Sequence, residues 1–164
     1  MTNHQRKGSI SNAHAGKEFE KLTKLFLEKQ CNITLSPKFS VPIGISGSNT
    51  TKNHDFDLGC SNNKILVECK SHNWTETGNV PSAKLTVWNE AMFYFYLAPS
   101  SFTKILFVLK ANHPKHGQKS LADYYVEKHS HLIPLDVTII EYDTISHTAN
   151  KILKSTTKEN LLKL

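Results

Sequence analysis

The chain has 164 residues and a mass of 18.5 kDa, the size of one domain that can bury a core without a disulfide or metal staple. With 38% hydrophobic and 21% charged residues it reads as neither a disordered chain nor a membrane protein, and its longest apolar run, Ala91 to Ala98, is under half of a membrane span. The basic surplus (20 Lys and Arg against 14 Asp and Glu, net +6) raises the odds of an anionic partner, although only Arg6 is an arginine.

The first ten residues are polar and read as a flexible tail (1–10) ahead of a single domain (11–164). They hold no apolar run after their basic residues, so no secretory leader is expected. The three cysteines, Cys31, Cys60 and Cys69, lack C-x-x-C spacing and read as reduced thiols packed in a cytoplasmic protein.

A helix is expected from Ser11 or Asn12, both capping residues, to about Gln30, with Ala15, Phe19, Leu22 and Phe26 as its core-facing stripe. Ile33 to Leu35 reads as a short strand. Residues 36–54, rich in Ser, Gly, Thr, Pro and Asn, read as a long loop or irregular hairpin of the binding kind. Asp55 to Cys60 and Lys64 to Lys70 are expected strands around the turn Ser61-Asn62-Asn63. A second loop covers Ser71 to Ser82. Lys84 to Leu97 reads as a helix stopped by Pro99, and Ile105 to Leu109 as a buried strand. Ser120 to His131 reads as a helix, Val137 to Tyr142 as a strand, and Asn160 to Leu164 as a terminal helical turn. This order indicates an α/β fold with a mixed sheet flanked by helices.

One constellation carries chemistry. Side chains alternate along a strand, so Glu68 and Lys70 share a face while Val67 and Cys69 point into apolar packing. Asp57, across the turn, falls opposite Glu68. Two carboxylates and an ammonium then converge on one side of the hairpin. A buried acidic pair is costly unless neutralised, and a hard cation such as Mg²⁺, with oxygen ligands, would remove that cost. The alternative is a solvated strand face with a weak surface ion pair.

Asp57, followed by Glu68-Cys69-Lys70, resembles the D…E-x-K signature of the PD-(D/E)XK nuclease superfamily. Gly16-Lys17-Glu18-Phe19-Glu20 resembles the G-x-x-F-E opening of the first helix in many of these nucleases. The resemblance spans Gly16 to Leu109, with Phe56 where the naming proline would stand. It implies a restriction-endonuclease-like core and a Mg²⁺-dependent endonuclease acting on double-stranded DNA, with Mn²⁺ as a substitute ion. Restriction-type cleavage leads, followed by structure-specific junction or repair cleavage; an inactive nucleic-acid-binding module and an RNA nuclease are the competing readings. The implied metal ligands are Glu20, Asp57, Glu68 and the Cys69 carbonyl, and Lys70 would position and activate the attacking water. Glu20 suits either this site or an ion pair with Lys24 one turn on, with Glu18 as the fallback. Cutting both strands with one site per chain implies a homodimer. The nucleic-acid-binding candidates are Lys52, Trp74, Lys84 and Asn89; Asn89 is also the nearest match to a glutamine that some members carry on the helix after E-x-K. Trp74, set among lysines, suits either stacking on a base or packing in the protein. His54 is set aside as a metal ligand or base because Asp57 already explains the strand.

Overall fold

A computed structural model of the protein describes residues 12–46 and 48–156. The expected tail over 1–10 and the terminal turn at Asn160 to Leu164 lie outside the described residues. The described chain is an α/β unit built on one open, mixed six-stranded sheet with three α-helices. The elements in order are α1 (Asn12–Cys31), β1 (Ser36–Ile43), β2 (Lys52–Cys60), β3 (Ile65–Lys70), α2 (Ser82–Leu97), β4 (Thr103–Leu109), α3 (Leu121–His129), β5 (Val137–Asp143) and β6 (Thr148–Leu153).

The strands lie side by side in chain order. β1, β2 and β3 form an antiparallel meander, β3, β4 and β5 are parallel, and β6 returns antiparallel to β5. The two parallel steps need crossovers, which α2 and α3 supply. Both steps move the same way across the sheet, so a common crossover hand puts both helices on one face. Consistently, Trp88 and Phe95 of α2 and Leu121 and Tyr125 of α3 share a cluster with Leu66, Leu106 and Ile139. The other face is covered by α1, whose Phe19 and Leu27 pack on Leu58, Ile65, Val67, Ile105, Phe107 and Ile140. Covered on both sides, β4 is a nearly unbroken apolar run, and β5 is buried along most of its length.

The structure decides or corrects three expectations. Of the two readings of 36–54 the hairpin holds and the long loop does not: residues 36–43 are the edge strand β1, and only 44–51 connect it to β2. Its prolines, Pro37 and Pro42, and the positive φ of Lys38 (49°) are tolerated because an edge strand leaves one side unpaired. Ile33 to Leu35 is not a strand. Asn32 ends α1 with φ 53°, and the Glu28 side chain accepts the Leu35 N–H at 2.8 Å. β6, unforeseen, closes the opposite edge. The expected third helix is shorter, with Ser120 as its cap: the Ser120 hydroxyl takes the Asp123 N–H, and the Asp123 carboxylate takes the Ser120 N–H.

Candidate active site

The site forms where β2 and β3 part. Their pairing runs from Cys60–Ile65 to Leu58–Val67. One residue further, the Asp57 side chain enters instead of backbone, its Oδ2 accepting the Cys69 N–H at 2.7 Å. β2 bends over this stretch, since Leu58 packs under α1 while Phe56 packs with α2 on the opposite face. Gly59 leaves room for the Phe39 side chain of β1: a Cβ there would stand 2.3–2.7 Å from Phe39 atoms.

β3 keeps the expected alternation. Val67 and Cys69 face α1, and Glu68 and Lys70 face the other side. Lys70 Nζ lies 2.6 Å from Glu68 Oε2 and 4.0 Å from Asp57 Oδ2. Asp57 and Lys70 line a cleft of about 460 Å³ together with Glu20, Ser71, His72, Asn73 and Lys84. Glu20 lines this cleft, and Lys24 pairs with Glu28 at 2.7 Å rather than with Glu20. Glu18, the fallback, is exposed and paired with Lys21 at 2.8 Å, and does not line this cleft.

Burial, then the charge of Glu68, pushes the Asp57 carboxyl up to about 6, against the pull of Lys70 and the Cys69 N–H. Burial also presses on Glu68, but His54 and Lys70 outweigh it and hold that carboxyl below its ordinary value. For Lys70, burial is outweighed by Glu68 and Asp57, so its ammonium is held more firmly than usual. The site thus holds one firmly charged lysine, one firmly charged glutamate and one aspartate near neutrality.

The donor set of Glu20, Asp57, Glu68 and the Cys69 carbonyl consists of hard oxygens, and the crowding that raises Asp57 is what a divalent cation would relieve. The residues therefore fit Mg²⁺ or Mn²⁺ by chemistry. Among the described residues, however, no group of three or more His, Cys, Asp or Glu side chains stands arranged to hold an ion. Lys70 instead holds Glu68 Oε2, donating to it at 2.6 Å.

Of the nucleic-acid candidates, Lys84 lines the cleft, one turn of α2 ahead of Trp88. Lys52 is exposed at the start of β2, paired with Ile43, and outside the cleft lining. Trp74 and Asn89 require correction. Trp74 is 6% exposed, donates to the Ala111 carbonyl at 3.0 Å and stacks on His116 at 3.8 Å, so its ring is a packing element. Asn89 accepts the Tyr125 hydroxyl at 3.0 Å and faces the turn at Ser130–Leu132 rather than the cleft.

Two histidines at the site went unassigned by the sequence. His54 stacks on Tyr94 at 3.8 Å and directs a buried Nε2, without a hydrogen-bond partner, to within 3.7 Å of Glu68 Oε1. His72 continues the alternation of Glu68 and Lys70 one step beyond β3, and that period of two was the signal available for it.

Comparison of the chain with family models, curated proteins and solved structures finds no match. Among the described residues no helix is long and apolar enough to cross a membrane.

Proposed function

We propose that the protein is a metal-dependent nuclease that hydrolyses phosphodiester bonds in double-stranded DNA, with restriction-type cleavage as its leading role. The observation that carries this reading is the meeting of Asp57, Glu68 and Lys70 at the split between β2 and β3, in or beside a cleft that Glu20 also lines. The order of elements from α1 to β4, a helix, a meander, a helix and a strand, supports a restriction-endonuclease-like core.

Glu20, Asp57 and Glu68 would hold Mg²⁺ or Mn²⁺, with the Cys69 carbonyl as a further ligand. Bound there, the ion would supply Lewis-acid polarisation of a phosphoryl oxygen and a more acidic water. Lys70 stays protonated at neutral pH, since its ammonium is held by two carboxylates. It therefore serves as a fixed charge that orients the attacking water and stabilises charge developing on phosphorus-bound oxygens, not as a proton acceptor. Cutting both strands with one site per chain calls for a homodimer.

The Lys70–Glu68 pair, which neutralises Glu68 without an ion, favours a second reading as a non-catalytic binding module on the same scaffold. Incubation with plasmid, synthetic junctions and RNA, in Mg²⁺ or in EDTA, separates the readings. Discrete Mg²⁺-dependent fragments support restriction-type cleavage. Cutting of junctions alone moves the role to junction resolution, and intact substrates in both conditions leave the binding module.

A further inference from the structure

Lys70 ends β3, and the chain then turns through Ser71 to His72, whose ring lines the same cleft. The His72 ring is not free to choose its tautomer. Its Nδ1 lies 2.8 Å from the indole N–H of Trp88. That indole can only donate, so Nδ1 must accept, and the ring proton sits on Nε2. Trp88 is fully buried on α2 and packed edge-on against Tyr125 at 4.9 Å, so the constraint comes from the core. No hydrogen bond among the described residues uses His72 Nε2, and it is not among their buried atoms lacking partners.

We infer that His72 donates its Nε2–H to a phosphate oxygen of the bound strand, beside Lys84, forming a substrate-holding wall of the cleft. This rests on the nuclease reading above. Burial, then the neighbouring ammoniums of Lys84 and Lys70, depress the ring's pKa to about 4, so at neutral pH it is an uncharged donor. Lys70, His72 and Lys84 thus offer the cleft donors, while Glu20 and Asp57 offer it acceptors. A phosphodiester would meet the donor wall directly, and the carboxylates opposite would hold a cation. A phosphate oxygen carries no proton and suits the donor wall of Lys70, His72 and Lys84.

Two measurements test this. Long-range ¹H–¹⁵N spectra of histidine-labelled protein read the tautomer directly, with His72→Gln assigning the resonance. The expected result is a proton on Nε2 that shifts when a short DNA duplex is added with Ca²⁺. Single-turnover cleavage in Mg²⁺ is expected to fall on the order of 10²-fold in His72→Ala, read at a temperature where the variant is still folded because the buried Trp88 N–H also loses its acceptor. His72→Gln, which keeps an N–H donor, should recover part of the rate. A proton on Nδ1, a resonance unmoved by DNA, or a His72→Ala enzyme as fast as wild type overturns the inference while leaving the nuclease reading standing. If wild type cuts nothing, the nuclease reading falls, and the response of the Nε2 resonance to the duplex alone decides whether His72 holds phosphate.

Discussion

At the scale of single residues, Lys70 is where a catalytic and a structural role part most sharply. If it stabilises charge in the transition state, Lys70→Ala should slow single-turnover cleavage by on the order of 10²–10⁴-fold and leave DNA affinity nearly unchanged. A variant that cuts within a few-fold of wild type would reduce Lys70 to a partner of Glu68. Asp57 makes a prediction about stability. Its carboxyl is raised from 3.8 to about 6, so the folded protein binds a proton there that the unfolded chain releases. The associated stability is present below pH 3.8 and lost as pH rises through 6. In EDTA at pH 7.5, Asp57→Asn should therefore be more stable than wild type, by about 1–3 kcal/mol, with the gain vanishing near pH 3.5. Urea melts at the two pH values check this, and a variant less stable at pH 7.5 would contradict the burial of Asp57 beside Glu68.

At the scale of elements, the site depends on the bend in β2. Pairing stops at Leu58–Val67, and the strand then swings away so that the Asp57 carboxylate meets the Cys69 N–H. Beside that bend, the Phe39 side chain of β1 lies directly against Gly59. Gly59→Ala forces a methyl into the Phe39 side chain, and overpacking of this kind costs about 1–3 kcal/mol. The expected outcome is a lower urea midpoint with unchanged slope, together with slowed cleavage because Asp57 is displaced. Unchanged stability would mean that Phe39 can move aside at little cost. The loop after β3 is held as firmly. Trp74 is bonded to Ala111 and stacked on His116, and the His116 ring nitrogen lies 2.7 Å from the Gly78 carbonyl. That clamp steadies the segment carrying His72 and Asn73 into the cleft.

At the scale of the whole molecule, the lysine surplus and the active site make separable predictions. If loop and helix lysines neutralise phosphates, log K for duplex DNA should fall with log salt by roughly 0.9 per phosphate contacted. A flat response between about 50 and 200 mM salt would remove nucleic acid as the partner. Ca²⁺ is larger than Mg²⁺ and accepts looser geometry. It should support DNA binding without cleavage, which gel shift and cleavage on the same samples can read together. Equal cutting in both ions would contradict a site that must align water and phosphate closely.

The local pattern of the chain was enough for the elements whose packing it expresses directly. α1 carries a helical stripe, β4 an apolar run, and β3 an alternation that puts Glu68 and Lys70 together. The edge strands were hidden. β1 and β6 each have one unpaired side, so prolines and polar residues cost them little and their composition looks like loop. The surroundings of Trp74, open between stacking and packing, and of Asn89 were hidden for a different reason. Whether an aromatic or amide faces solvent depends on what folds over it, here the loop around Ala111 and His116 and the Tyr125 hydroxyl. The chain by itself determined which groups could do chemistry: Asp57 near a turn, Glu68 and Lys70 two apart, and Glu20 on the first helix. The tertiary structure alone decided the bend that seats Asp57 on the Cys69 amide, the charge state that crowding gives it, and the tautomer that a buried Trp88 imposes on His72. Those properties arise from contacts between residues distant in sequence, where burial and facing charges set energies that no local pattern encodes.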